Sequence, residues 1–410
     1  MTCTRYAFFT RTRHHALLAL AVITVGCITP YEPPYMGDHA GLLVVDGIIT
    51  DGDVLITLSR SRPLSSEDGI AGQQPPTQWV SGAELWVESE DGRIFESPGS
   101  MENGEYAIAM GSLDTDTRYR LHIRAEGEEY VSEYRTPQSP PEIAEIEIYQ
   151  KEPGANLQVR LDVNGTAEQS NYYMWNYEET WESNASINAS FYYGMYEGDY
   201  TGYSLGEYLD NLLYGGGTMR LYPYPGYISP FYYCWNYGRS RALLIGSTDR
   251  LTENTLRDYV LYEIGLTSNR ISQLYHTKIS QYSLGEDAFY YFDNQKKNTD
   301  DAGSIFAPIP SEIAGNIVCT TSPELPAIGF VEVSRRVQRE IFFDDPEGLF
   351  EDTRQPCPIF TRGKEMEDAN MSESISYPVG AEDFARLDCI DCRRMGGLKS
   401  RPRFWPNDHQ

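Results

Sequence analysis

The chain has 410 residues, with 33 Lys and Arg against 60 Asp and Glu, a formal net charge of −27. So acidic a surface argues against nucleic acid as a partner and against flat adsorption onto anionic lipid. Its 31 Tyr, 35 Gly and 24 Pro supply aromatic strand formers together with turns, which favours a mainly β fold over a helical one.

Arg5, Arg11 and Arg13 precede a short apolar run that begins at Ala16 and ends on Cys27. The run is too short to span a bilayer as a permanent helix, so it reads as an export signal over residues 1–26. Ile23-Thr24-Val25-Gly26-Cys27 resembles a bacterial lipobox: small or aliphatic side chains, then glycine, then the cysteine that is acylated and becomes the first residue. Thr24 stands where such boxes usually carry leucine, and a plain secretory signal cut near Gly26 is the alternative. Loss of that segment leaves 384 residues, enough for two or three domains, and takes the net charge to −30 because three arginines go with it. The expectation is an exported protein held by lipid on Cys27.

Residues 27–40 contain Thr29-Pro30, Pro33-Pro34 and Gly37, a composition that makes an extended tether. From 41 to 136 the apolar period is two. Val54, Ile56 and Leu58 share one face, Asp91-Gly92 is a hairpin turn, and Tyr119, Leu121 and Ile123 oppose Arg120, His122 and Arg124. Seven or so short strands at this spacing predict an N-terminal β-sandwich of immunoglobulin-like or transthyretin-like kind. Residues 137–142, Pro-rich, form a linker. A larger β-rich domain is expected over 143–410, starting with the alternation of Ile146 and Ile148 against Glu145 and Glu147.

Sixteen tyrosines lie between Tyr172 and Tyr237, and periodicity vanishes from about 184 to 230. This is a Tyr/Gly-rich insertion, either a recognition surface or a segment packed on its own domain, with one or two helical turns at Leu205–Leu213. Tyr222, Tyr224, Tyr227 and Trp235 are the candidate binding surface. Leu256–Ile264 fits strand and helix alike, and Ile271–Tyr282 reads as a long strand. Leu284–Lys297 is the one clear helix, with Ser283 as its cap, Glu286 three residues later and Ala288, Phe289 and Phe292 as its apolar stripe. Strand returns over Ile328–Phe343. The tail is loop-rich and ends on Arg401-Pro402-Arg403-Phe404-Trp405-Pro406.

Chemistry-bearing patterns are sparse. Four histidines follow Cys27, and neither HExxH nor GxSxG occurs. His276 is the one histidine placed for a hydrolytic triad, and a packing histidine on a strand is the better reading. The pairs Asp300-Asp301 and Asp344-Asp345 suit solvated loops better than glycosidase carboxylates. Asp114-Thr115-Asp116 starts like a calcium loop and fails at Arg118. Cys389-Ile390-Asp391-Cys392 has the spacing of half a zinc or redox site, but no second CxxC exists, so a disulfide from Cys357 to one of the pair is favoured. Five cysteines remain besides Cys3 and Cys27, an odd count that leaves a thiol over. No catalytic residue, metal ligand or cofactor site is assigned.

The order of several short segments resembles an exported Bacteroidota-type lipoprotein family, the domain of unknown function 4249. They are Leu43–Ile49, Ile56–Ser61, Val80–Ala83, Asn103–Tyr106, Tyr119–Leu121, Thr136-Pro137, Cys234-Trp235, Ser280–Leu284, Pro308–Pro310, Gly315–Ile317, Gly329-Phe330, Cys389–Cys392 and Pro402–Trp405. The resemblance implies an outer-membrane lipoprotein, anchored in outer-membrane lipid through the Cys27 acyl chains and commonly encoded beside a TonB-dependent receptor. It supplies no catalytic residues. The function expected is therefore a non-enzymatic accessory of such a receptor in uptake or envelope assembly. A free-standing surface binder of glycans or other ligands, and a surface hydrolase, are the alternatives.

Overall fold

The computed structural model describes residues 41–62, 77–194, 220–300, 315–345, 348–354, 356–361, 376–380 and 383–406. The signal, Cys27, the whole tether, Leu205–Leu213, Asp301 and Pro308–Pro310 lie outside the described residues. The chain divides into two compact units, Met1–Leu42 with Arg60–Gln78, and Leu43–Ser59 with Trp79–Gln410. In the first, the Gly41 amide donates to the Ser61 carbonyl at 2.9 Å. The remaining description concerns the second unit, which is mainly β.

Its N-terminal part is a sandwich. One sheet pairs Leu43–Asp46 with Gly52–Arg60, which runs antiparallel to Glu105–Gly111 in a register that sets Val54 against Ile108 and Ile56 against Tyr106. The facing sheet has five strands, in the order Ile317–Cys319, Glu128–Ser132, Tyr119–Ala125, Glu84–Ser89, Ile94–Glu96. Strand alternation sends Val54, Ile56, Leu58, Leu85, Val87, Tyr119, Leu121 and Ile123 into one core. Gly92, at φ +89°, makes the tight turn foreseen after Asp91. Tyr106 is buried, and its hydroxyl donates to the Val80 carbonyl at 2.9 Å while accepting from the Ala83 amide at 3.0 Å.

This sandwich is not closed by residues 41–136 alone. Ile317–Cys319 adds its outer strand, Glu332–Val333 pairs in parallel with Ile48–Ile49, and Ile317, Val331 and Val333 enter its core. The division at Thr136 misses this return because strands of two or three residues carry no readable period. Gly315 and Gly329 permit the return: a Cβ on Gly315 would lie 1.8 Å from the Gly329 carbonyl oxygen, and Gly329 holds φ +146° beside the Val45 carbonyl. Between them the Asn316 side chain acts as a strand backbone would, donating to the Val331 carbonyl (2.9 Å) and accepting from its amide (2.8 Å).

The second sandwich packs the three-stranded sheet Glu142–Gln150, Leu157–Asn164, Thr255–Ile264 on a wider sheet centred on Tyr172–Asn184. That long strand pairs with Tyr275–Ser283 on one side, and with Tyr233–Arg239 and Leu244–Ser247 on the other; Arg336–Phe343 lies outside Tyr275–Ser283. The stretch at 256–264 is thus strand, its aromatic and β-branched residues deciding the ambiguity. Trp175 is fully buried and donates to Gln281 Oε1 at 2.8 Å, while Gln281 Nε2 donates to the Pro141 carbonyl at 2.7 Å. Those two bonds leave neither polar group unpaired in the core.

The helix spans Glu286–Asp300; its Ala288, Tyr291 and Phe292, with Leu284 just before it, pack against Met174, Ile245 and Phe330. Ser283 is not its cap: it is the last residue of a strand, and its amide donates to Ser334 Oγ at 3.0 Å. The helix start is held instead by charge. Arg135, on the last stretch of the first sandwich, donates to both oxygens of Asp287 in the first turn (2.8 and 2.7 Å) and to both oxygens of Glu332 (2.6 and 3.0 Å). Glu332 Oε2 also accepts from the Gly285 amide at 2.8 Å. One guanidinium thereby joins the first sandwich, the returning strand and the helix.

Candidate functional site

On the outer face of the wide sheet, aromatic side chains from distant parts of the chain converge. Its register sets Tyr237, Thr180, His276 and Phe342 in one row across four strands, with Trp235 opposite Glu182 two residues along. A C-terminal arm, residues 392–406, lies over this face. Cys392 is bonded to Cys234, Leu398 and Trp235 exchange backbone hydrogen bonds of 2.8 Å each, and the Tyr237 hydroxyl donates to the Ser400 carbonyl at 3.3 Å. Gly397 is required there, since a Cβ would meet the Cys234 Cβ at 2.4 Å.

At the end of the arm, Trp405 packs with Trp235 and Leu274, all three buried. Its indole N–H donates to Glu182 Oε2 at 3.3 Å, in a position where Glu182 is wholly buried. Phe404 lies 4.7 Å from the His276 ring and 6.4 Å from Phe342. His276 Nε2 is 3.3 Å from Glu340, whereas its Nδ1 and the Trp235 Nε1 find no hydrogen-bond partner among the described residues. Burial pushes the His276 imidazole below its usual pKa, so the neutral ring is favoured. The ring also packs against Phe342 and Phe404.

Of the four aromatic residues singled out from the sequence, Tyr224 and Trp235 are buried and Tyr227 is exposed. Tyr222 lies on a hairpin strand, Arg220–Pro223, paired with Phe191–Gly194. Tyr224 is buried in a small cluster with Ala189, Val379 and Cys389. Tyr227, at φ +59°, is 60% exposed with its ring edge-on to Phe191 at 6.3 Å. Trp235 is beneath Trp405. Tyrosine counting could not separate the two cases, because a ring that packs under a hairpin and a ring that projects from it have the same local sequence. Sequence reasoning assigned the arm no role; the signal that could have found it is the aromatic pair Phe404-Trp405 near its end.

The tail cysteines also resolve. Cys357 is bonded to Cys389, Cys392 to Cys234, and Cys319 is a buried free thiol. Cys389 and Cys392 thus serve two separate bonds, one pinning the hairpin cluster and the other pinning the arm. Among the described residues no group of three or more His, Cys, Asp or Glu side chains gathers as metal ligands.

Two other polar clusters were traced. Inside the second sandwich Glu179 accepts from Arg270 (3.0 Å) and from the Tyr275 hydroxyl (2.9 Å), and Tyr262 bonds to Tyr275 and Thr277 at 3.0 and 2.8 Å. These groups satisfy one another, which is what a buried network needs to be stable. On the first sandwich a groove of about 400 Å³ is lined by Arg120, His122, Glu129, Val131, Val318 and Thr320. His122, expected on the polar side of its strand, is 9% exposed: it stacks on Trp86 at 4.8 Å and bonds Glu88 at 2.8 Å.

These features define a mainly β protein of two sandwiches, its C-terminal part pinned by disulfides. The chain belongs to the family described as domain of unknown function (DUF4249), which matches residues 28–340. The match begins directly after Cys27 and stops before the arm. No curated protein matches the chain. Among solved structures it is similar to a two fibronectin type-III domain segment from chicken tenascin, at 12% identity and a TM-score of 0.16, over 60% of this chain and 92% of that one. The sandwich description rests on the registers above and not on that likeness.

Proposed function

We propose that the protein is exported, anchored by acyl chains on Cys27 in the outer membrane, and acts without catalysis as an accessory of a TonB-dependent receptor. The observation that carries the reading is the combination of a lipobox-like start with two disulfides in the C-terminal part. Disulfides persist in oxidising compartments, which is where a lipidated export product resides. The binding surfaces available for such a role are the exposed Tyr227 beside the hairpin and the arm-covered face of the wide sheet. The test is twofold. Labelled palmitate should enter the wild-type chain and not Cys27→Ser, and gentle-detergent purification of the tagged lipoprotein from outer membranes should bring a TonB-dependent receptor in stoichiometric amount. Purification of the membrane-bound protein alone would refute the receptor role and leave a free-standing surface binder.

A further inference from the structure

The arm has a charge pattern opposite to that of the chain as a whole. Five of the 33 cations, Arg393, Arg394, Lys399, Arg401 and Arg403, fall within residues 393–403, and none of the 60 acids does. Three of the five are engaged locally. Arg393 pairs with Asp391 at 2.6 Å and, together with Lys399, brackets the Phe231 ring at 4.1 and 4.3 Å; Arg401 donates to the Pro406 carbonyl. Arg394 and Arg403 are exposed and form no ion pair among the described residues.

The same short arm also exposes large apolar side chains. Leu398 is 56% and Phe404 51% exposed, and the half-exposed Tyr237 and Phe342 extend the same surface through the Tyr237–Ser400 hydrogen bond and the Phe404–Phe342 contact. Arginine together with exposed aromatic and aliphatic side chains on one short segment is the composition of a protein-binding hot spot.

We propose that this arm face docks an acidic polypeptide segment carrying aliphatic or aromatic side chains. Its carboxylates meet Arg394 and Arg403, and its apolar groups cover Leu398 and Phe404. Charge complementarity selects the acid, since an arginine fork receives a carboxylate bidentately. A polypeptide is favoured over an anionic lipid surface because a chain of net charge −27 is repelled by a uniformly negative plane, whereas a polypeptide can meet a local cluster of cations alone. The proposal rests on the accessory reading above and names the face and the partner chemistry.

The test uses the mature full-length chain and a fluorescent peptide of alternating Glu and Leu with one Tyr, followed by anisotropy. Wild type should bind, about tenfold or more weaker between roughly 0.05 and 0.5 M salt. R394E/R403E should weaken binding about tenfold or more with the melting temperature unchanged, and R394Q/R403Q should fall between. Equal binding by the charge-reversed variant overturns the proposal. So does absence of peptide binding by folded wild type, or sedimentation with phosphatidylglycerol vesicles in place of peptide binding. If a receptor co-purifies undiminished with R394E/R403E, this face fails and the accessory role stands. Peptide binding without any co-purifying receptor sinks the accessory role and leaves this face.

Discussion

Arg135→Met removes a guanidinium shared by the first sandwich, the returning strand and the helix, and its cost can be worked out from the contacts. Glu332 has a side chain only 1% exposed and would lose two hydrogen bonds and its counter-charge. Stripping one partner from a buried pair costs about 3–5 kcal/mol. The Gly285 amide (2.8 Å) and the Val333 amide (2.9 Å) still bind that carboxylate, which sets the expected loss near the lower end, about 3 kcal/mol. Asp287, 58% exposed, adds at most about 1 kcal/mol. Urea unfolding of the mature protein by tryptophan fluorescence measures the sum. Adding Glu332→Gln to the Arg135→Met background neutralises the stranded charge and should restore about 2 kcal/mol, a coupling that two independent sites would not show. The pH dependence has a definite sign. Hydrogen bonding to Arg135 holds the Asp287 carboxyl below its ordinary 3.8, so its share is present above that value and fades as pH falls through the lowered one. The Asp287 share of the gap between wild type and Arg135→Met should fade only below about pH 4. A loss under about 1 kcal/mol, or no rescue by Glu332→Gln, would refute the assignment of the joint to this charge cluster.

The two disulfides should differ in worth: Cys234–Cys392 closes a separation of 158 residues and Cys357–Cys389 one of 32. In the chain-entropy account, replacing the first pair by serine costs about 5 kcal/mol and the second about 4 kcal/mol, measurable as a difference in unfolding free energy. Unreduced mature protein should release one thiol to Ellman's reagent in denaturant and none when folded, because Cys319 is buried. Trp405→Ala should cost about 3–5 kcal/mol, and Trp405→Phe less, because the latter keeps most of the packing while losing the bond to Glu182. The imidazole of His276 should titrate below 6.5 by NMR; stability should therefore fall as pH drops below that value, and His276→Phe should remove this component.

Sequence legibility followed the length of the signal. Strands with three or more alternating apolar residues, such as those bearing Val54-Ile56-Leu58 and Tyr119-Leu121-Ile123, were readable because burial of one face enforces the period. The helix was readable from its stripe, but not its capping, because the group that holds its first turn is 152 residues away. The return of Ile317–Cys319 and Glu332–Val333 to the first sandwich had no period to display. The candidate face was least legible. Tyr224 and Trp235 drew attention as aromatic residues, yet what buries them is Val379 and Cys389 in one case and Trp405 in the other. Partners so remote leave no mark near the residue they cover.

The short segments that carried the family resemblance acquire a physical reading once their contacts are known. Tyr106 of Asn103–Tyr106 ties its hydroxyl to Val80 and Ala83 of Val80–Ala83. Gly315–Ile317 and Gly329-Phe330 are the two sides of the returning segment, and Gln281 of Ser280–Leu284 holds both Trp175 and the linker carbonyl of Pro141. These residues hold the architecture, so their order identifies the family without disclosing a ligand. Whatever the protein recognises has to be carried by surface that this framework leaves open. The arm is such a surface: it lies beyond the matched residues 28–340, and its five cations stand against the net charge of −27. A segment that merely closed the sheet would need Trp405, Phe404 and the Cys392 bond but would have no use for the exposed Arg394, Arg403 and Leu398. That surplus is the physical ground for seeking the partner on this face before seeking it at the hairpin.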